Sequence, residues 1–141
     1  MTLFTPNTKV GMVNHVGIAV LSLEESMKQF QELFDSPESE IILSEENGVR
    51  GTFINQGDTH IELLQPIRDD SPIAKFIKTH GEGIHHMAFT VPEVDAKAEE
   101  LVARGVPIIV GPRPGLSGRI AFVDPKVTHG VLIELVRPYG T

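Results

Sequence analysis

The chain is written twice, and that duplication limits what it can fold into more than any other feature. His15-Val-Gly-Ile-Ala-Val20 returns as His86-Met-Ala-Phe-Thr-Val91, and Ile61-Glu-Leu-Leu-Gln-Pro66 returns as Ile133-Glu-Leu-Val-Arg-Pro138. The two histidines stand 71 residues apart and the two glutamates 72. A chance likeness has no reason to hold its register to one residue over two separate segments, whereas an internal duplication does.

The elements follow the same order in each copy. Residues 14–21 form a β-branched and aliphatic run suited to a strand. Ser22 then opens a helix, with Glu25 three residues on completing a capping box. Leu23, Met27, Phe30 and Phe34 recur at helical spacing and are expected on its core face. Strands are expected at 40–44, 50–55 and 59–64, with Gly57-Asp58 as the hairpin turn between the last two. Ser71-Pro72 opens a short linker helix that Gly81 can end. The order then restarts with a strand from His86 to Val91 and a helix over 93–104 stopped by Gly105. Strands at 107–110, 119–123 and 130–136 complete the copy. The expected fold class is α+β, one domain over 1–141. Two βαβββ modules, at about 12–66 and 84–138, are joined by a helix at about 71–80.

Composition narrows the function. The 141 residues are 40% hydrophobic and 22% charged, with a formal net charge of −7 and no cysteine. Thiolate metal sites, disulfides and a cysteine nucleophile are therefore excluded. The acidic balance argues against a broad phosphate-contacting surface for nucleic acid. No apolar run approaches the roughly 18 residues needed to cross a bilayer, and Met1–Met12 lacks the pattern of a secretory leader. A cytoplasmic location is the expectation. Charge is uneven: between Val106 and Thr128, Arg113, Arg119 and Lys126 face Asp124 alone. Such a segment can receive an anionic ligand, and it can equally be a solvated loop.

Alternation along the strands isolates four polar side chains. Val16, Ile18 and Val20 share the core face of the first strand. His15, Gly17 and Ala19 share the other, which their small size is expected to leave open. In the second copy Met87, Phe89 and Val91 oppose His86, Ala88 and Thr90. Ile61 and Leu63 oppose Glu62; Val131, Ile133 and Leu135 oppose Glu134. A lone strand histidine is ordinarily a hydrogen-bonded structural residue, and a lone strand glutamate ordinarily faces water. Their recurrence at equivalent positions favours a metal site instead. Two imidazoles and two carboxylates, His15, Glu62, His86 and Glu134, suit a borderline divalent ion with coordination positions to spare. His85 reads as a packing or second-layer residue, His60 as either a second-layer or a solvated one.

With these residues in view, the chain resembles the vicinal oxygen chelate superfamily, and within it the methylmalonyl-CoA epimerase family. The likeness is carried by Asn14-His-Val-Gly-Ile-Ala-Val20, Gly57-Asp-Thr-His-Ile-Glu-Leu-Leu-Gln-Pro66, Asp70-Ser-Pro-Ile-Ala-Lys-Phe76, Gly81-Glu-Gly-Ile-His-His-Met-Ala88 and Gly130-Val-Leu-Ile-Glu-Leu135. The resemblance implies a cupped, half-barrel mixed sheet with helices outside and the four residues as ligands. The implied ion is cobalt or manganese, with zinc, nickel and magnesium as alternatives. The implied reaction inverts C2 of methylmalonyl-CoA or a close acyl-CoA through a metal-stabilised enolate, with an acid/base group on each face. Glu134 would serve as both ligand and base. A base proposed for some members falls at Gly51, which cannot act. Asp124 stands where the family commonly has His, and Thr128-His-Gly130 replaces Thr-Gly-Gly. The segment 115–119, with Ser117 and Arg119, is expected beside the acyl carboxylate. By analogy the partners are an acyl-CoA and a second copy of the chain.

Other readings remain at this stage. A glyoxalase-type isomerase of the same superfamily commonly has Arg four residues after its first ligand, where this chain has Ala19. A metal-free small-molecule binding protein of the same fold would line its cup with aromatics, and this chain has no Trp and one Tyr.

Overall fold

The computed structural model describes residues 5–141, so the first four residues of the Met1–Met12 stretch lie outside the described residues. The chain divides into two compact units. One spans His15–His86. The other combines Met87–Thr141 with the described residues up to Asn14.

The first unit holds most of β1 (Val13–Ala19), then α1 (Leu23–Phe34), β2 (Ile41–Ser44), β3 (Val49–Gln56), β4 (Thr59–Pro66), α2 (Pro72–His80) and the start of β5 (Gly83–Thr90). Its sheet order is β2-β3-β4-β1, antiparallel except for the parallel pair β1–β4. The helices start where their caps dictate. Ser22 Oγ accepts from the Glu25 amide at 3.2 Å, and Ser71 Oγ from the Ala74 amide at 3.0 Å with Pro72 in the first helical turn. Each cap satisfies an amide that has no carbonyl within the helix. Gly81, at φ +80°, ends α2 as expected. On the α1 side of the sheet Val20, Leu23, Ile54 and Leu63 are buried, packed by Ile18, Met27, Phe30 and Ile61.

Phe34 departs from its expected place: it is 57% exposed, not in the core. The chain leaves the helix at Asp35 in a left-handed turn, φ 55°. Phe34 meets Phe30 edge-on at 5.5 Å, and its carbonyl accepts from Gln56 Nε2 at the end of β3 at 2.9 Å.

The second unit holds the rest of β5, α3 (Val94–Ala103), β6 (Ile108–Pro114), β7 (Gly118–Val123), a 3-10 turn at Pro125–Val127, and β8 (Ile133–Pro138). Its order is β5-β8-β7-β6, with β5–β8 parallel and the remaining pairs antiparallel. The two modules thus repeat one topology, and the α+β class of tandem βαβββ modules holds. Val91, Val94, Ala121, Val123 and Leu135 form the buried cluster on the α3 side. Gly11 donates to Thr90 O at 2.8 Å and Thr90 to Met12 O at 3.0 Å, which ties the segment before β1 into this unit.

Three boundaries differ from the sequence reading by three residues or more, the first being the start of β5 at Gly83 rather than His86. β6 runs on to Pro114 through register shifts against β7. β8 begins at Ile133 rather than Gly130, because residues 128–131 form a turn. There the Gly130 amide reaches Pro125 O at 2.8 Å, the Val131 amide reaches Thr128 O at 3.1 Å, and His129 has φ 62°. Val131 consequently lies outside the strand, 45% exposed, and not on the inward face with Ile133 and Leu135. Among the described residues, no helix is long and apolar enough to cross a membrane.

Candidate metal centre

In the first unit the parallel register of β1 and β4 sets His15 beside His60 and Gly17 beside Glu62. The antiparallel register of β3 and β4 sets Phe53 opposite Glu62. All share the face turned away from α1, because neighbouring strands keep their alternation in step. His15, Glu62 and His86 are buried there, at 0, 4 and 2% exposure. The Nε2 atoms of His15 and His86 are 3.1 Å apart. Glu62 Oε1 lies 3.7 Å from His15 Nε2 and 3.4 Å from His86 Nε2.

These separations suit a shared ion. With metal–ligand bonds of about 2.1 Å, donors at right angles lie about 3.0 Å apart and tetrahedral donors about 3.4 Å. Three strand residues distant in sequence thus point a mixed nitrogen and oxygen set at one spot, and the group has the make-up of a divalent-ion site. Burial of a carboxylate is costly unless hydrogen bonds or a cation compensate it.

The small-residue face is not open as expected. Gly17 and Ala19 are buried, and a Cβ built on Gly17 would fall 2.1 Å from His86 Cε1. The room that Gly17 leaves is filled by the His86 ring. In the second unit Ala88 is likewise fully buried, packed with Ile120, Val136 and Phe122.

A second layer surrounds the imidazoles. His85 Nδ1 is 2.9 Å from His86 Nδ1, and the His85 ring stands edge-on to Phe76 at 5.0 Å. Nδ1 of His86 is thus engaged by His85, while its Nε2 faces His15 and Glu62. Phe53 stacks on His60 at 4.7 Å and meets His15 edge-on at 5.3 Å. His80 stacks on Phe76 at 4.8 Å, at the end of α2. Gly51 is buried in a row made, by register, of Ile42, Gly51, Leu64 and Ala19. No titratable side chain stands in that row.

In the second unit Glu134 is 3% exposed on β8, beside Ala88 of β5 and opposite Phe122 of β7. It lies on the face turned away from α3, with Ile120 and Val136. Arg119 occupies the other face of β7 and does not share the face of Glu134. It is bound to Asp95 of α3 by bonds of 2.6 and 2.9 Å. The Arg119 hydrogen bond holds the Asp95 carboxyl below its usual range, and Asp95 in turn raises the guanidinium of Arg119. Arg119 is therefore occupied by a carboxylate of the chain itself. Ser117 lies in the β6–β7 hairpin, its carbonyl accepting from the Tyr139 amide at 3.1 Å, while its buried Oγ has no hydrogen-bond partner among the described residues. Arg113 Nε, on β6, is buried and unpartnered in the same way. In the sequence Arg113 contributes only to local charge; lacking a motif, it gives no other signal. Asp124 is accounted for by local structure, since its carboxylate accepts from the Lys126 amide at 2.9 Å and caps the 3-10 turn.

Residues 14–122 match the family model described as the glyoxalase/bleomycin resistance protein/dioxygenase superfamily. The chain belongs to this superfamily. Within the glyoxalase/bleomycin resistance/dioxygenase proteins it falls among the methylmalonyl-CoA epimerases. A mitochondrial methylmalonyl-CoA epimerase of Dictyostelium discoideum is 39% identical over 129 residues, covering 89% of this chain and 78% of the relative. An ethylmalonyl-CoA/methylmalonyl-CoA epimerase of Cereibacter sphaeroides is 34% identical, covering 89% and 97%. Among solved structures, a variant Streptomyces coelicolor methylmalonyl-CoA epimerase in complex with 2-nitronate-propionyl-CoA superposes with a TM-score of 0.87. It is 33% identical and covers 94% of this chain and 98% of its own.

Proposed function

We propose that this chain is a divalent-metal-dependent epimerase that inverts C2 of methylmalonyl-CoA or a close 2-carboxyacyl-CoA. The observation that carries the reading is the buried convergence of His15, Glu62 and His86 on one sheet face, in a chain whose relatives are epimerases of such thioesters. Cobalt or manganese is the expected ion by resemblance to the epimerases, and two imidazoles with two carboxylates can accept either.

Glu134 is the fourth ligand in this reading, for three reasons. It repeats Glu62 in the duplicated sequence. It is buried although ionisable. Its partner across the β5–β8 pair is Ala88, which follows His86 by two residues and so points the same way along β5. A bound ion supplies Lewis acidity that makes the C2 proton of a chelated 2-carboxyacyl thioester more acidic. The carboxylate of Glu134 takes that proton, and a donor on the opposite face returns one. That donor is not in the row of Gly51, which holds only apolar side chains. The Cereibacter relative is named for ethylmalonyl-CoA too, which favours a pocket that admits a longer 2-alkyl group.

The test is deuterium uptake at C2 of methylmalonyl-CoA in heavy water, after chelation and after adding back cobalt or manganese. We expect exchange with either ion, none after chelation, and recovery on re-addition. Failure to exchange with an ion bound would overturn the epimerase reading. In Glu134→Ala, exchange should be abolished and the affinity for the ion reduced; full activity in that variant would remove Glu134 from both roles.

A further inference from the structure

The β6–β7 hairpin carries two buried polar atoms with no hydrogen-bond partner among the described residues, Arg113 Nε and Ser117 Oγ. Buried polar groups are almost always paired, so each orphan calls for an explanation. We propose that Arg113, assisted by Ser117, receives the free carboxylate of the substrate and thereby selects acyl thioesters that carry one. The inference rests on the epimerase reading and adds to it the residue that recognises the acid group.

Register places Arg113 for this task. It pairs with Ile120 on β7, Ile120 with Val136 on β8, and Phe122 with Glu134. Directly opposed residues share a face, so the Arg113 side chain leaves the sheet on the side of Glu134. Arg119, the other arginine of the hairpin, leaves on the opposite side and is held by Asp95. The Arg113 side chain enters no ion pair among the described residues, and its Nε has no hydrogen-bond partner there. An unneutralised guanidinium with a buried donor is costly in an apoprotein and favourable once an anion arrives. Its Nε–H and one Nη–H form a planar fork that matches the two oxygens of a carboxylate.

The hairpin is also built to hold the arginine still. Gly115 donates to Gly118 O at 2.7 Å across the turn, and the Tyr139 hydroxyl donates to Gly115 O at 2.7 Å. A Cβ at Gly115 would sit 2.8 Å from Ile120, and one at Gly118 would sit 2.2 Å from Arg137 O. The thioester also brings phosphates, a second source of negative charge. One buried Nε–H and one hydroxyl suit a carboxylate better than a phosphate, which is met by several exposed donors.

The experiment compares binding of methylmalonyl-CoA, methylmalonyl-pantetheine, propionyl-CoA and CoA to the cobalt-loaded parent, Arg113→Met and Arg113→Lys. Arg113→Met should weaken both methylmalonyl ligands by about 10- to 100-fold and leave propionyl-CoA and CoA within about twofold. Arg113→Lys keeps the charge but not the fork, and should recover only part of the loss. Cobalt affinity and melting temperature, measured on both variants, should match the parent. Weakening of propionyl-CoA and CoA with methylmalonyl-pantetheine unaffected would assign Arg113 to the phosphates and overturn the proposal. Unchanged binding of all four ligands would overturn it as well. If Arg113→Met does not fold, full parental affinity for both methylmalonyl ligands in Arg113→Lys does the same. A parent that shows no C2 exchange and no preference for the methylmalonyl ligands fails at the epimerase reading; a parent that exchanges while its Arg113 variants discriminate normally fails only here.

Discussion

Gly17 illustrates how the site is specified at the scale of one residue. A glycine inside a strand is ordinarily a weakness, and replacing it by alanine ordinarily gains about 0.5–1 kcal/mol. Here the sign reverses, because the added methyl would fall 2.1–2.6 Å from three atoms of the His86 imidazole. The ring must leave its place beside His15, and the 3.1 Å approach of their Nε2 atoms goes with it. Gly17→Ala is therefore expected to lower cobalt affinity by at least about tenfold and to reduce the melting temperature. Parental cobalt affinity in a titration of that variant would show that the ring has another position from which to bind. The clustering of His15, Glu62 and His86 was legible in the sequence because polarity interrupts an aliphatic strand twice at matching places. The role of Gly17 was not. A sequence shows that a side chain is missing, but not which distant ring occupies the space.

At the scale of elements, helix caps are legible in the sequence, while the surroundings of Phe34 and Arg119 are not. Ser22 and Ser71 cap their helices as their spacing required, because a cap involves only the next three residues. Phe34 fits the helical period yet is exposed at the helix end, where Asp35 takes the left-handed conformation. Arg119 is a further case of tertiary context: its partner Asp95 lies on α3, 24 residues earlier. That pair fastens α3 to β7, and its pH dependence has a definite sign. The Arg119 hydrogen bond lowers the Asp95 pKa in the fold, so its contribution is present at neutral pH, above the unfolded value. It is lost as pH falls through the lowered folded value. Asp95→Asn should thus melt slightly below the parent at neutral pH, and the difference should close in strong acid. The gap is expected to be small because both side chains are about half exposed. A gap that widened on acidification would show that Asp95 acts on stability through something other than Arg119.

At the scale of the whole molecule the duplication dictated the strand and helix order of both modules, while the division into units follows contacts that the repeat does not encode. The compact units part within β1 and β5, not at the linker helix, since residues 11 and 12 bond to Thr90. One consequence is that His15, Glu62 and His86 all belong to the His15–His86 unit, on three strands joined by long stretches of chain. An ion held by all three ties β1, β4 and β5 together, and it binds the folded chain far better than the unfolded one. At an ion concentration 100 times the dissociation constant the stabilisation is about 2.7 kcal/mol. For a chain of this length that corresponds to a rise of roughly 5–10 °C in melting temperature. Cobalt or manganese should produce this rise in a chelator-treated sample, and excess chelator should reverse it. Magnesium at the same concentration should do less, because a set with two imidazole nitrogens favours borderline ions over hard ones. The measurement needs no substrate and reads the centre independently of turnover. An unchanged melting temperature at millimolar cobalt and manganese would remove the ion from the site, and would leave the buried carboxylate of Glu62 to be explained by its histidines alone.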